Sequence, residues 1–241
     1  MADAGSREKQ GRWRGLADTY GLSSRADPLY SLGPHGCSII AFDTPFHGEN
    51  QVDQSYQDFA ADAVAQAQEL VDAPIVVAGV SQGGVSAQES ARQPGVVGVI
   101  SISTTRRAAD DEERASITGL IDFWGTDGGP QPVAENIAAT STSSQQPAYD
   151  ETVAAVLAMT KEQMAHTISL LEDRRGGIEL ATPYLFIHET ADQTYIYEDI
   201  VANIPADHLV TVEENGHCET RNGPEVVAPA LREFALALVE G

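Results

Sequence analysis

The feature that most constrains this chain is a glycine-rich turn at residues 79–84, GVSQGG, directly after the apolar run 74–80, PIVVAGV. The run predicts a buried strand, and the residues after the turn predict a helix that ends near Pro94. The turn fits G-x-S-x-G, in which glycines allow a sharp strand-to-helix turn with strained backbone at the serine. We therefore predict that Ser81 lies at the carboxyl edge of a sheet, where a helix N-terminus favours developing negative charge.

The rest of the chain alternates β-branched runs with amphipathic helical stretches. This alternation is typical of a mostly parallel sheet covered by helices on both faces, so an α/β fold is predicted. The predicted strands are 38–43, 74–80, 96–103, 182–188 and 208–212, and the clearest predicted helices are 53–71 and 224–239.

A long segment, 105–180, shows no strand pattern. It is helical in its spacing, polar and acidic, and is interrupted by a Gly/Pro turn at 125–132 and a Ser/Thr-rich loop at 140–147. An all-helical insertion between two strands predicts a lid over 105–180, with a core domain made of 1–104 and 181–241.

A serine nucleophile needs a base, and six histidines are candidates. His217 follows the last predicted strand and so lies at the same sheet edge as Ser81, whereas His208 begins that strand and lies at the opposite edge. His188 ends the preceding strand and is predicted to be a neighbour of the site. The other three lie in turns or in the insertion, so His217 is the predicted base.

The base needs a carboxylate that fixes its tautomer and stabilises the imidazolium. Asp192 lies in the loop after the strand 182–188, next to the strand that leads to His217. The chain order Ser, Asp, His also agrees with this kind of fold. Asp192 is therefore the predicted acid, and Glu189 is the rival carboxylate.

An oxyanion hole is expected beside the serine. One donor is the backbone N–H of Gln82, which follows the nucleophile, and the second comes from a loop after an earlier strand. The candidate loop is 20–24, YGLSS, which makes Leu22 the second donor. An ordinary polar loop is the alternative for this segment.

The charge balance is strongly acidic: 36 Asp and Glu against 14 Lys and Arg, a net charge of −22. Such a surface repels phosphate backbones and anionic lipid, so neither nucleic acid nor a membrane is an expected partner. No apolar stretch approaches the ~18 residues that span a bilayer, and the first 13 residues are polar, so a cytoplasmic location is expected. A halophilic source and an Arg-biased genome both remain open as the origin of this composition.

The two cysteines, Cys37 and Cys218, form neither a disulfide framework nor a metal-binding spacing. No metal is therefore expected. A disulfide between the two stays open, although a cytoplasmic location argues against it.

Several of these motifs together resemble a known family, the lid-bearing α/β-hydrolases close to 3-oxoadipate enol-lactonases and small bacterial carboxylesterases. Residues 20–24 are similar to the family's HG-x-x-S loop and 43–48 to its D-x-P-G-H-G turn. GVSQGG, 183–192, 215–217 and the ending PEVVAPALREF are also similar to family motifs. The departures are Tyr20 for the histidine of HG, Phe46 for a turn glycine and Glu189 for the glycine before the acid loop.

The resemblance implies acyl transfer to water through Ser81, with no organic cofactor, on a small-molecule ester or lactone. The lid would cover an apolar pocket whose candidate liners are Phe123, Trp124, Met159 and Met164. At helical spacing such residues are more often packing inside the lid. A homodimer is one of the oligomeric states that the sequence leaves open.

Two other functions remain open. The same three residues could serve carbon–carbon bond hydrolysis or cofactor-free perhydrolysis. Alternatively, the chain could be a binding module that kept the fold and lost turnover. The unusual polar stretch 11–19, found where a strand is expected, and Tyr20 support that last alternative.

Overall fold

The computed structural model describes residues 39–47, 50–142, 148–176, 181–213, 216–217, 220 and 223–240. Several sequence predictions lie outside the described residues: the oxyanion loop with Leu22, the polar stretch 11–19 and both cysteines. In the described part of the chain, no helix combines the length and the apolarity needed to cross a bilayer.

The centre of the molecule is a parallel sheet. Its strands are β1 (Ile75–Val80), β2 (Val96–Ile102), β3 (Tyr184–Glu189) and β4 (Leu209–Val212), in the spatial order β1-β2-β3-β4. The register aligns their ends: Val80 lies beside Ile102, Ile102 beside Ile187 and Glu189 beside Val212. The carboxyl ends of all four strands therefore meet at one edge, and the predicted α/β fold with a parallel sheet is confirmed.

Helices cover both faces of this sheet. They are α1 (Tyr56–Leu70), α2 (Gln82–Ser90), α7 (Tyr197–Asn203) and α8 (Pro224–Glu240). Alternate residues of a strand point to opposite faces, and the core divides accordingly. Val77 and Val99 pack in a cluster with α1 and α2, whereas Val76 and Ile100 pack with α8.

Between β2 and β3 the chain forms a group of helices, which we call the inserted helices. They are α3 (Asp111–Trp124), α4 (Pro130–Thr142), α5 (Ala148–Leu157) and α6 (Lys161–Ser169), followed by a 3₁₀ turn at Leu170–Asp173. Capping boxes begin two of them, Asp110 with Glu113 at α3 and Thr160 with Gln163 at α6.

Two predicted elements differ from the observed ones. Residues 39–43, predicted as a strand, form none; Ile40 and Phe42 instead pack against the cluster of α1 and β1, so apolar character here reflects burial and not sheet pairing. Residues 140–142 of the predicted loop 140–147 belong to α4, which extends to Thr142, and 143–147 lie outside the described residues. The hydroxyls of Thr140 and Thr142 donate to backbone carbonyls four residues earlier in the helix.

Candidate active site

Ser81 sits at the junction between β1 and α2. Its backbone lies in the left-handed region, with φ 52° and ψ −113°, and its N–H donates to the carbonyl of Ile102 over 2.8 Å. The turn is so tight that a Cβ on Gly79 would lie 2.0 Å from the carbonyl oxygen of Gly83. Only glycine at position 79 allows this turn, which holds the serine in strained backbone at the carboxyl edge.

Three of the predicted site residues form a hydrogen-bonded chain. The Oγ of Ser81 lies 2.9 Å from Nε2 of His217, and Nδ1 of His217 lies 2.8 Å from Oδ2 of Asp192. All three residues are buried, with 0–3% of their surface exposed. An ionised carboxylate only accepts hydrogen bonds, so Nδ1–H donates to Asp192 and Nε2 is free to accept the hydroxyl proton of Ser81.

The loops that carry these side chains also explain their positions. His217 comes after β4, beyond Gly216, whose φ of 75° is strain-free only for glycine. Asp192 follows β3, and its Oδ1 accepts the backbone N–H of Thr194 over 2.7 Å and of Tyr195 over 3.1 Å. The carboxylate is thus held on one oxygen by its own loop while the other oxygen contacts His217.

The ionisation of Asp192 depends on opposing effects. Burial is the largest influence and raises the pKa, but electrostatic interaction and a hydrogen bond with His217, electrostatic interaction with His188 and the N–H of Thr194 together outweigh it. The pKa of Asp192 is therefore lower than its ordinary value. The carboxyl group is an anion at neutral pH, as the partner of an imidazolium should be.

His188, predicted as a neighbour of the site, lies directly behind Asp192. It is fully buried, its Nε2 donates to the backbone carbonyl of Tyr195 over 2.8 Å, and it lies 3.6 Å from Oδ2 of Asp192. Burial lowers the pKa of His188, although the charge of Asp192 opposes this shift. His188 is therefore neutral in the folded protein near pH 7.

The rival acid, Glu189, is the last residue of β3 and pairs with Val212 in the sheet. It is buried, but Asp192 makes the contact with His217. Asp192, three residues after Glu189 in the loop that follows β3, thus reaches the histidine.

Gln82 begins α2, where backbone N–H groups lack partners within the helix. Its side chain has a second contact that the sequence did not indicate: Nε2 donates to the carbonyl of Thr167 in α6 over 2.8 Å, and the bond is buried. The residue after Ser81 therefore connects the strand-to-helix turn to the last of the inserted helices.

The four candidate pocket liners lie among the inserted helices. Trp124 and Met164 are buried in a cluster with Val133, Ala134 and Val156, and Met159 packs against that cluster. Phe123 is 46% exposed. Trp124, Met159 and Met164 thus pack inside the inserted helices. Contact with a substrate stays a prediction for all four residues.

Two further residues near the site were not predicted, Tyr195 and Arg174. Tyr195 lies three residues after Asp192, and its buried ring is 5.8 Å from that of His217. Arg174 follows the last 3₁₀ turn of the inserted helices and donates to the Tyr195 hydroxyl over 2.9 Å. Arg174 is one of two adjacent arginines at the end of a polar helical segment, and no periodicity distinguishes it, so the sequence carries no signal for this contact. Across the described ranges, no group of three or more His, Cys, Asp or Glu side chains is arranged to hold a metal ion.

This geometry agrees with a family comparison. The model of the α/β hydrolase family matches residues 11–230. The chain belongs to the α/β hydrolase family. No curated protein matches it by sequence.

Solved α/β-hydrolase structures are similar over nearly the whole chain. An esterase from Thermogutta terrifontis has a TM-score of 0.77 at 20% identity, covering 95% of this chain and 90% of that one. An enol-lactonase from Burkholderia xenovorans LB400 has a TM-score of 0.74 at 15% identity, covering 96% and 94%. An esterase from Exiguobacterium antarcticum has a TM-score of 0.75 at 17% identity, covering 93% and 91%. At these identities the likeness shows the shared fold.

Two of the departures from the family motifs, Phe46 and Glu189, lie among the described residues. Phe46, at the position of a turn glycine in the family, has φ 58°, a region that glycine adopts without strain. Its ring packs edge-on against His166 of α6, with ring centroids 4.7 Å apart. The turn is therefore retained despite the substitution, and the larger side chain contacts the inserted helices.

Proposed function

We propose that this protein is a serine hydrolase that cleaves a small carboxylic ester or lactone through an acyl-enzyme on Ser81. The observation that carries the proposal is the buried chain from Ser81 Oγ to His217 to Asp192, with contacts of 2.9 and 2.8 Å, at a strained strand-to-helix turn. Fold neighbours that include esterases and an enol-lactonase support the choice of ester and lactone substrates.

In the acylation step, Oγ of Ser81 attacks the carbonyl carbon while its proton moves to Nε2 of His217. The anionic Asp192 stabilises the imidazolium that forms. The tetrahedral intermediate then expels the alcohol oxygen, which takes the proton from His217. For a lactone the ring opens at this bond, so the leaving hydroxyl stays attached to the acyl group.

The negative oxygen of the tetrahedral intermediate requires hydrogen-bond donors beside Ser81. We assign one to the backbone N–H of Gln82, at the first turn of α2, where the helix dipole also favours negative charge. The second is assigned to Leu22 by its similarity to the family's loop.

In the deacylation step, His217 takes a proton from water, and the resulting hydroxide attacks the acyl carbon. The bond to Oγ breaks, and the proton returns to Ser81 from His217, which regenerates the enzyme. Each step uses groups of the chain and one water, so the reaction balances without a cofactor. We place residues 105–180 above this site as a lid that shields the acyl-enzyme from bulk water.

The deciding experiment is labelling of the purified protein with a fluorophosphonate probe, with Ser81→Ala as the matched variant, at low and at molar salt. We expect rapid labelling that the substitution removes. A folded protein that does not label at either salt concentration would overturn the proposal and favour a non-catalytic binding module.

A substrate panel then identifies the bond that is cleaved. Aryl esters, lactones and vinylogous diketones should be tested at equal concentration with a preparation that reacts with the fluorophosphonate probe. Turnover of esters or lactones supports the proposal, whereas turnover confined to the diketones would assign carbon–carbon hydrolysis.

A further inference from the structure

A series of contacts leads from the loop after β3 that carries Asp192 and Tyr195, which we call the acid loop, to the inserted helices. The hydroxyl of Tyr195 accepts from Nη1 of Arg174 over 2.9 Å, and Nη2 of Arg174 donates to Oε1 of Glu113 over 2.8 Å. Glu113 lies in the first turn of α3, where its other oxygen contacts Arg107 over 3.0 Å and closes the capping box with Asp110. The acid loop and the first inserted helix are thereby joined through one guanidinium.

Tyr195 connects this series of contacts to the proposed catalytic residues. Its backbone N–H donates to Oδ1 of Asp192, and its backbone carbonyl accepts from Nε2 of His188. Its ring packs beside His217. Any rotation or shift of Tyr195 therefore moves a donor on the catalytic carboxylate and an acceptor of the histidine behind it.

The contacts are buried, so they are well shielded from water. The Arg174 side chain is only 4% exposed, and its guanidinium also lies over the Tyr195 ring, 5.4 Å from the centroid. Burial raises the pKa of Tyr195, so the phenol stays protonated. Burial alone would lower the pKa of Arg174, but Tyr195 and Glu113 outweigh this effect and raise it, so the cation is retained.

We propose that Tyr195 and Arg174 are positioning residues for Asp192, and that Arg174, braced by Glu113, makes the alignment of the acid loop depend on the inserted helices. This inference rests on the proposed function, since its purpose is to keep Asp192 aligned with His217. The anchored phenol holds Tyr195 in place, and the Tyr195 backbone in turn holds the carboxylate.

Arg114 provides a matched control. It also joins α3 to the end of the inserted helices, because Nη1 donates to the carbonyl of Glu172 over 2.9 Å and Nη2 to that of Ala109 over 2.8 Å. It has no contact with Tyr195 among those that the structure describes. Arg174→Met and Arg114→Met therefore remove the same chemical group from the same junction, and only one of them disconnects the acid loop.

The kinetic test measures kcat and KM for p-nitrophenyl acetate in Arg174→Met, Arg174→Lys, Tyr195→Phe and Arg114→Met. We expect kcat to fall by ~10- to 100-fold in Arg174→Met with KM little changed, because small misalignments of a catalytic group have effects of this size. Arg174→Lys should recover part of the loss and Tyr195→Phe should lose less than Arg174→Met. Arg114→Met should keep kcat within about twofold. Equal losses in the two Met variants would overturn the proposal, since they would indicate general loosening of the junction.

A measurement independent of activity separates this proposal from the proposed function. In proton NMR, the hydrogen bond from His217 Nδ1 to Asp192 should give a downfield signal that disappears in Asp192→Asn. We expect Arg174→Met and Tyr195→Phe to shift or broaden this signal and Arg114→Met to preserve it. An unchanged signal in the first two variants overturns the positioning role even in an active enzyme. Absence of turnover and of fluorophosphonate labelling, with the signal responding as expected, would reject only the hydrolase function.

Tyr195→Phe also keeps the proposal testable if Arg174→Met fails to fold. It keeps the ring and removes only the oxygen that Arg174 contacts, so it is expected to fold even where Arg174→Met does not. Loss of kcat and a changed NMR signal in this variant alone support the proposal, and wild-type values for both contradict it.

Discussion

The carboxyl edge of the sheet and the inserted helices are built in different ways. At the edge, Ser81 and Ser103 have positive φ values of 52° and 46°, and polar side chains are buried in short hydrogen bonds. The inserted helices surround an apolar cluster of their own, and two of them, α3 and α6, begin at capping boxes. The edge thus contains strained backbone and buried polar side chains, whereas the inserted helices have ordinary helix caps and an ordinary apolar core.

Few described contacts join the two regions. They include an apolar group of Tyr56, Val85 and Leu170, the bond from Gln82 to Thr167, the bond from Arg174 to Tyr195 and, at α6, the contacts of His166 with Phe46 and Asp53 and of Gln163 with Gln51. A region with its own core can lose stability without changing the chemistry at the edge, except where one of these contacts is broken. The following predictions test that separation, beginning with the largest expected effect.

Asp192→Asn should have the largest effect and should act at the edge alone. An amide in place of the carboxylate cannot stabilise the imidazolium and favours the wrong tautomer of His217, so kcat should fall by roughly 10⁴-fold. Stability should change far less than activity. Glu189→Gln, a carboxyl-to-amide change at a buried residue of the same edge, is the control and should keep kcat within about tenfold of the wild-type value. A larger loss in Glu189→Gln than in Asp192→Asn would reassign the acid.

Trp124→Ala should affect the inserted helices. The side chain is buried in their apolar cluster, so we expect the free energy of unfolding to fall by about 3–5 kcal/mol in urea denaturation. Its neighbour Phe123 is 46% exposed, so Phe123→Ala should change stability by only about 0.5 kcal/mol. Similar losses in both variants would contradict the packing of α3, and a pocket role for Phe123 would appear as a rise in KM.

His188 should make stability depend on pH at the edge. Its pKa is lowered in the folded state from an ordinary value of 6.5, so below that pH the unfolded chain binds a proton that the folded chain does not. The free energy of unfolding should therefore decrease as the pH falls below about 6.5, by up to roughly 1.4 kcal/mol per pH unit from this group. Asp192, with a lowered pKa, loses its contribution only at lower pH, below its ordinary 3.8. In His188→Gln the slope between pH 6.5 and 4 should be shallower, and an unchanged slope in thermal melts would show that His188 is charged when folded.

Gln82→Met should have the smallest effect, at the junction itself. The substitution keeps the backbone N–H and the length of the side chain but removes the bond to Thr167 of α6, at a cost of about 1 kcal/mol. Hydrogen exchange in α6 should become faster than in the wild type. Gln131→Met removes an exposed bond to Glu135 within α4 and serves as the control, with unchanged exchange in α6. If α6 exchanges at the wild-type rate in Gln82→Met, the bond does not hold the inserted helices to the nucleophile turn.

Local sequence patterns were sufficient for the sheet and for the assembly of Ser81, Asp192 and His217. The strand 74–80 begins one residue earlier than β1, and 182–188 is offset by one or two residues from β3. Because parallel strands end at one edge, three residues that each follow a strand end were expected to meet there. The strand prediction at 38–43 was wrong for 39–43, where Ile40 and Phe42 pack against the cluster of α1 and β1 without pairing to any described strand, and sequence alone does not distinguish these cases.

The sequence by itself determined most of the elements, the sheet edge at which Ser81, Asp192 and His217 lie and their order in the chain, since these follow from short-range periodicity and from the geometry of parallel strands. The tertiary structure alone decided that Tyr195 holds the Asp192 carboxylate and that Arg174 reaches Tyr195 from the inserted helices. These contacts either join residues that are 21 or more positions apart in the sequence or depend on the conformation of a loop. The spacing of apolar residues predicts neither long-range contacts between side chains nor loop conformations.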